Sequence, residues 1–303
     1  MRVFIREKLL RVIFLSLFTS LAFAQEKLNV VTTTGMIADL VANIGGEHVR
    51  ISSLMGSGVD PHLYKATQGD VSKLLNADLI IYNGLHLEGK MQDIFTKLSR
   101  QKAVYALADG IDRNGLLESA DYVDLPDPHI WFDVQLWREA AEYVAGILSQ
   151  QLPQHQAVIA ANHKAYSQQL VELDDWVRDS VFRIPPSQRV LVTAHDAFGY
   201  FARAYDVEVK ALQGVNTASE FGLHDLKKIR EVIITRQIKA VFIESSVPRK
   251  FIQSLQEGLL AKGYPIVIGG ELFSDAMGPA GTEEGTYVGM VKHNVNTIVE
   301  ALL

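Results

Sequence analysis

The chain of 303 residues contains no cysteine. Disulfides are therefore excluded, and so is tethering through an N-terminal lipidated cysteine. An excess of positive charge is also missing: 29 Lys and Arg face 35 Asp and Glu, for a net charge of −6. Nucleic-acid binding relies on clustered Lys and Arg, so a nucleic-acid partner is not expected. The negative balance instead gives a mild electrostatic preference for cations. Several catalytic signatures are absent, namely His-Glu-x-x-His, Gly-x-Ser-x-Gly, a Walker loop and Gly-x-Gly-x-x-Gly. Ser219-Glu220 and Ser245-Ser246 have no evident base partner in the local sequence. The apolar run from Val12 to Leu21 is too short for a membrane span, which needs ~20 apolar residues.

That run is informative for another reason. It follows a basic opening of Arg2, Arg6, Lys8 and Arg11, and it precedes Ala22-Phe23-Ala24. A charged region, a short apolar region and an A-x-A site together read as a cleavable secretory signal peptide over residues 1–24. The segment carries four basic residues and one acid, so cleavage takes the net charge from −6 to −9. Export combined with the absence of cysteine leads to the expectation of a periplasmic protein with no lipid anchor. Apolar residues make up 48% of the chain, with few low-complexity stretches, so a well-packed globular protein should follow.

Short β-branched runs alternate with amphipathic stretches. Residues 28–33, 49–54, 79–82 and 103–106 read as strands, with helices such as 36–44 and 70–75 between them. The order then repeats with strands at 189–193, 207–212, 240–243 and 265–268 and helices at 198–205, 223–236 and 251–262. Alternation of this kind implies α/β architecture with parallel sheets flanked by helices. Residues 134–151 are helical in pattern, and from His155 to Arg183 the chain has no glycine or proline until Pro185-Pro186. The predicted organisation is two similar lobes, 25–152 and 185–303, joined by one long spine helix at 153–184.

Three histidines and an aspartate fall at strand ends or rigid turns in both lobes: His62 in Asp60-Pro61-His62, His129 in Asp127-Pro128-His129, His195 after the 189–193 strand, and Asp275 after Gly269-Gly270. Proline fixes φ and biases the residue before it toward extended backbone, so each Asp-Pro turn should present its histidine rigidly. The loops beyond the carboxyl ends of strands in an open α/β sheet form the ligand crevice. Imidazole suits zinc and other transition metals, and carboxylate also suits manganese. Asp275 has a competing use as a helix N-cap for Ala276 onward. Glu271, Glu244 and Asp196 are alternative carboxylates or partners for the ring N–H groups that metal-bound histidines donate. His86, which follows a strand, is the strongest competitor among the remaining histidines and reads either as a partner behind a ligand or as loop-stabilising, while His155 and His163 fit a solvated face of the spine.

The motifs Gly-Val-Asp-Pro-His-Leu-Tyr, Ala-Asp-Leu-Ile-Ile-Tyr-Asn-Gly-Leu-His-Leu-Glu, Asp-Pro-His-Ile-Trp-Phe-Asp, Thr-Ala-His-Asp-Ala-Phe-Gly-Tyr-Phe and Gly-Gly-Glu-Leu-Phe-Ser-Asp-Ala-Met-Gly resemble those of the TroA/ZnuA-type zinc and manganese receptors. These are metal-binding solute-binding proteins of bacterial ABC importers, and the resemblance runs from Leu28 to the C-terminus. It implies a monomer that holds one divalent ion, zinc or manganese, between the lobes through His62, His129, His195 and Asp275. It further implies delivery to a membrane permease driven by a separate cytoplasmic ATPase, with no enzymatic activity. Manganese-dedicated members often carry glutamate where this chain has His195, and many zinc-dedicated members carry a His-rich loop where residues 109–128 here hold no histidine. The rival reading from another class is a zinc-dependent metallohydrolase of the cell envelope.

Overall fold

The first lobe is built on four parallel strands, β1 (Leu28–Thr32), β2 (Val49–Ser53), β3 (Leu79–Tyr82) and β4 (Ala103–Ala106), in the order β2-β1-β3-β4. The structure is a computed structural model that describes residues 26–119, 125–219 and 222–303. The expected signal peptide lies outside these residues, as do Glu220 and part of the 109–128 segment. Helices cover both faces of the sheet, so its central strands are apolar on both sides: Val30, Val31, Leu79, Ile80 and Ile81 are all buried. Helix α1 (Gly35–Gly45) buries Met36, Ile37, Leu40, Val41 and Ile44, one stripe at helical spacing. Helix α2 (Gln68–Asn76) opens with a reciprocal capping box between Thr67 and Asp70, and α3 (Gln92–Leu98) follows β3.

Two long helices come next. Asp133 caps α4 (Val134–Gln151) by accepting the N–H of Gln135. A 3-10 turn at Pro153–His155 then leads into α5 (Gln156–Val181), the 26-residue spine. At 1.5 Å per residue its axis runs about 39 Å, the width of a whole domain. His155 is not simply solvated: its ring stacks on that of His48 at 3.7 Å, pinning the start of the spine to the first lobe.

The second lobe holds two parallel pairs, β5 (Val190–Thr193) with β6 (Glu208–Ala211) and β7 (Ala240–Glu244) with β8 (Val267–Leu272). β5 and β7 lie side by side, flanked by α6 (Gly199–Tyr205), α7 (Leu223–Arg236) and α8 (Lys250–Leu260). The expected strand at 265–268 is displaced toward the C-terminus. Gly269 and Gly270 lie inside β8 rather than forming a flexible link, and the register shifts opposite Val241 and Phe242. The reason is close packing, because a Cβ at Gly270 would stand 2.4 Å from the Thr297 side chain, and Gly270 itself has φ 148°. Thr297 belongs to α9 (Tyr287–Leu302), a helix without a counterpart in the sequence reading. It packs on β8 and on the spine, and its Tyr287 stacks on Trp137 of α4 at 5.0 Å. One continuous apolar core therefore runs from Val30 through Trp137 and Leu170 to Phe242 and Leu302. Among the described residues no helix is long and apolar enough to cross a membrane.

Candidate metal centre

Each of the four singled-out side chains leaves a strand end or turn and is buried: His62 is 4% exposed, Asp275 1%, and His129 and His195 0%. The two Asp-Pro-His turns are closed in the same way. Asp60 Oδ1 accepts the His62 N–H at 2.8 Å, and Asp127 Oδ1 accepts the His129 N–H at 2.9 Å. Asp127 does more, because the same oxygen lies 2.7 Å from Nδ1 of the His129 ring and turns Nε2 inward. Glu244, at the end of β7, serves His195 likewise. One of its oxygens takes the N–H groups of Ala194 and His195 at 2.7 and 2.9 Å, and the other bonds the His195 Nδ1. No helix begins at Ala276, so Asp275 is not a cap.

The inward atoms converge on one point. His62 and His129 Nε2 stand 3.3 Å apart, His129 Nε2 is 3.4 Å from Asp275 Oδ1, and His195 Nε2 is 3.3 Å from Asp275 Oδ2. His62 Nε2 lies 3.8 Å from Asp275 Oδ2. Ligand atoms ~2.0–2.1 Å from a zinc ion at tetrahedral angles would stand about 3.3 Å apart, and three of these separations, which between them use both Asp275 oxygens, are close to that length. His195 Nε2 and Asp275 Oδ1 are two of six buried side-chain atoms of the described residues that have no hydrogen-bond partner. Buried polar atoms are normally paired, and these two aim at the shared centre, which is what a cation site requires. Together the four residues could hold one metal ion.

Electrostatics separate the three imidazoles. Burial, joined by repulsion from the His129, His195 and His86 rings, pushes His62 down to about 3 against the pull of Asp275. Burial acts the same way on His129, but the charge and hydrogen bond of Asp127, with help from Asp275, overcome it and raise the ring to about 9. Burial is also outweighed at His195, where the Asp275 and Glu244 carboxylates hold the ring well above its ordinary value. The imidazoles in turn hold Asp275 well below the usual carboxylate range despite its burial. Both shifts run toward the protonated ring at His129 and His195, beside the buried carboxylates.

Of the alternative carboxylates, Glu244 is the ring partner of His195, whereas Glu271 faces Arg249 at the surface. The ring role of Asp127 was not read from the sequence, although its place two residues before His129 is the available signal. His86 lies outside the four-residue cluster. It lines a small cleft beside His62 together with Val215 and Asn216, and its ring covers Gly89. Its backbone φ of 66°, next to 49° at Leu85, is a left-handed turn uncommon for residues other than glycine.

A two-lobed α/β frame with one ion-sized ring of three imidazoles and a carboxylate between the lobes defines a solute-binding protein for a divalent metal. The chain belongs to the ZnuA family, described as zinc-uptake complex component A, periplasmic, whose model matches residues 30–301. It is 53% identical over 283 residues to the zinc-binding protein TroA of Treponema pallidum, covering 93% of this chain and 91% of that protein. It is 49% identical over 279 residues to the manganese-binding lipoprotein MntA of Bacillus subtilis, covering 92% and 91%. The solved structure of the periplasmic zinc-binding protein TroA superposes with a TM-score of 0.89 at 52% identity, covering 91% of this chain and 99% of that one. The protein is therefore a substrate-binding receptor for metal import by an ABC transporter, and its relatives are receptors rather than enzymes. Nothing in the comparisons supports the hydrolase reading.

One expectation is corrected here. The sequence reading placed the protein in the periplasm with no lipid anchor, on the ground that it lacks cysteine. Relatives from Bacillus subtilis, Streptococcus sanguinis and Streptococcus gordonii, 49%, 33% and 31% identical, are named lipoproteins. Lipid attachment is thus named for relatives that cover about nine-tenths of this chain, against the expectation of no anchor.

Proposed function

We propose that His62, His129, His195 and Asp275 are the ligands of a single cargo ion, zinc or manganese, which the protein passes to a membrane permease powered by a separate ATPase. The observation that carries this reading is the convergence of four buried side chains whose ligand atoms lie within 4.8 Å of one another, three of the separations being 3.3 to 3.4 Å. That spacing fits a four-coordinate ion of the size of zinc. Enclosure by ligands from both lobes leaves no open position of the kind a catalytic zinc keeps for water. The protein acts as a monomer, with lobes at 25–152 and 185–303 and the spine at 153–184. Bonds between the lobes restrict their motion to small tilts: Trp131 Nε1 donates to the Ser274 carbonyl at 3.0 Å, and the Tyr200 hydroxyl to the Asp127 carbonyl at 2.7 Å.

The test is metal content by mass spectrometry on the purified protein, followed by competitive titration of the stripped form with zinc and manganese. One tightly held ion per chain is expected, with affinity lowered by orders of magnitude in His195→Ala while the fold is kept. Retained tight binding in that variant would remove His195 from the ligand set.

A further inference from the structure

Thr217 is not among the four inward-facing side chains, yet its hydroxyl donates a 2.6 Å hydrogen bond across the lobes to Asp60 Oδ2. The other oxygen of that carboxylate holds the N–H of His62 at 2.8 Å, so the bond reaches the backbone of the first histidine directly. On its own side Thr217 sits in the 213–219 segment that follows β6. The Gln213 side chain fixes this segment by donating to the carbonyls of Thr217 at 3.3 Å and Ser219 at 3.0 Å. The Gln213 N–H in turn donates to the carbonyl of Ala194, the residue before His195, at 2.9 Å. A hydrogen-bonded chain thus runs from Ala194, the neighbour of His195 in the second lobe, through Gln213, Thr217 and Asp60 to His62 in the first. The same segment supplies Val215 and Asn216, which border the cleft beside His62.

His129 and His195 are each steered by a carboxylate on the ring, whereas His62 is steered through its backbone, and that backbone is tied to the opposite lobe. We propose that Thr217 is a positioning residue, an interlobe latch that holds His62 and the 215–216 segment closed over the ion and so sets how fast the ion leaves. This rests on the reading of the four side chains as ligands. A bond made only while the lobes are together contributes to the closed state and not to the open one, so its loss acts on release. Hydrogen bonds to charged groups are among the stronger ones, and one such bond corresponds to roughly tenfold in rate.

The test follows zinc release from loaded wild type, Thr217→Val and Thr217→Ser into excess chelator by stopped flow, with zinc stoichiometry measured on the same samples. Thr217→Val should bind one ion and release it roughly tenfold faster, and Thr217→Ser, which keeps the hydroxyl, should return the rate to near that of wild type. Thr217→Ala removes the hydroxyl without adding a methyl and serves if the valine variant does not fold. Release at the wild-type rate from a hydroxyl-free variant that holds one ion overturns the latch, as does a serine variant as fast as valine. Wild type that takes up neither zinc nor manganese stoichiometrically would instead sink the ligand assignment, and the latch with it.

Discussion

Metal uptake by this protein should expel protons at neutral pH, and the structure sets how many. His129, held between Asp127 at 2.7 Å and Asp275 at 3.4 Å, keeps its proton up to about pH 9, and His195 likewise keeps one well above its ordinary value. His62, pushed by burial to about 3, carries none. A metal must take the lone pair that each proton occupies. At pH 7 about two protons should therefore leave per ion bound, and the binding constant should fall about 100-fold for each unit of pH lost, or ~2.7 kcal/mol. The sign follows from the raised values: acid favours the proton, and the dependence extends up toward pH 9 at His129 instead of ending near 6.5 as for a free imidazole. Calorimetric titration with zinc in buffers of differing ionisation enthalpy reads the number directly. Asp127→Asn should lower it by about one, because the carboxylate that holds the His129 proton is gone. Release of no protons at pH 7, or an affinity equal at pH 6 and pH 8, would refute the assignment of protons to His129 and His195.

Three further outcomes can be checked. Trp137 is fully buried against Tyr287, so Trp137→Ala should cost ~3–5 kcal/mol, read as a lowered urea midpoint; a shift below ~1 kcal/mol would mean that the core does not close around it. The Tyr200 hydroxyl accepts from the Leu117 N–H at 3.1 Å and donates to the Asp127 carbonyl at 2.7 Å. Tyr200→Phe should lose ~1–3 kcal/mol of stability and weaken zinc binding, because the segment that carries His129 is released. Stripping the metal should lower the melting temperature, since an ion present at a thousandfold over Kd adds ~4 kcal/mol to the folded state. An unchanged melting curve after chelation and readdition would argue against a buried site.

Much of the fold was legible because its signals are local. The strands at 79–82 and 103–106 and the helix at 134–151 have the same limits in the structure, since apolar periodicity and the Asp133 cap act within a few residues. The Asp-Pro-His turns were legible for the same reason: proline restricts the backbone before each histidine, and the aspartate two residues earlier accepts its N–H within the turn. Absence of cysteine could be read from composition, but the expectation of no anchor built on it runs against relatives that are named lipoproteins.

What the tertiary structure decided lies in pairings between distant residues. Glu244 and Glu271 are equally plausible partners for His195 in the sequence, and only the adjacency of β5 and β7 puts the first on the ring and leaves the second at the surface. The Gly269-Gly270 pair reads locally as flexible and is a tightly packed strand, because α9 crosses it. Asp60 and Asp127 occupy equivalent turns, but one reaches Thr217 in the opposite lobe and the other its own histidine ring. Spacing along the chain specified which side chains leave strand ends. Three imidazoles and a carboxylate with neighbouring donor atoms 3.3 to 3.8 Å apart, and with unequal hold on a proton, come together only where the lobes meet, since burial and Coulomb interaction depend on distance in space and not on position in the chain.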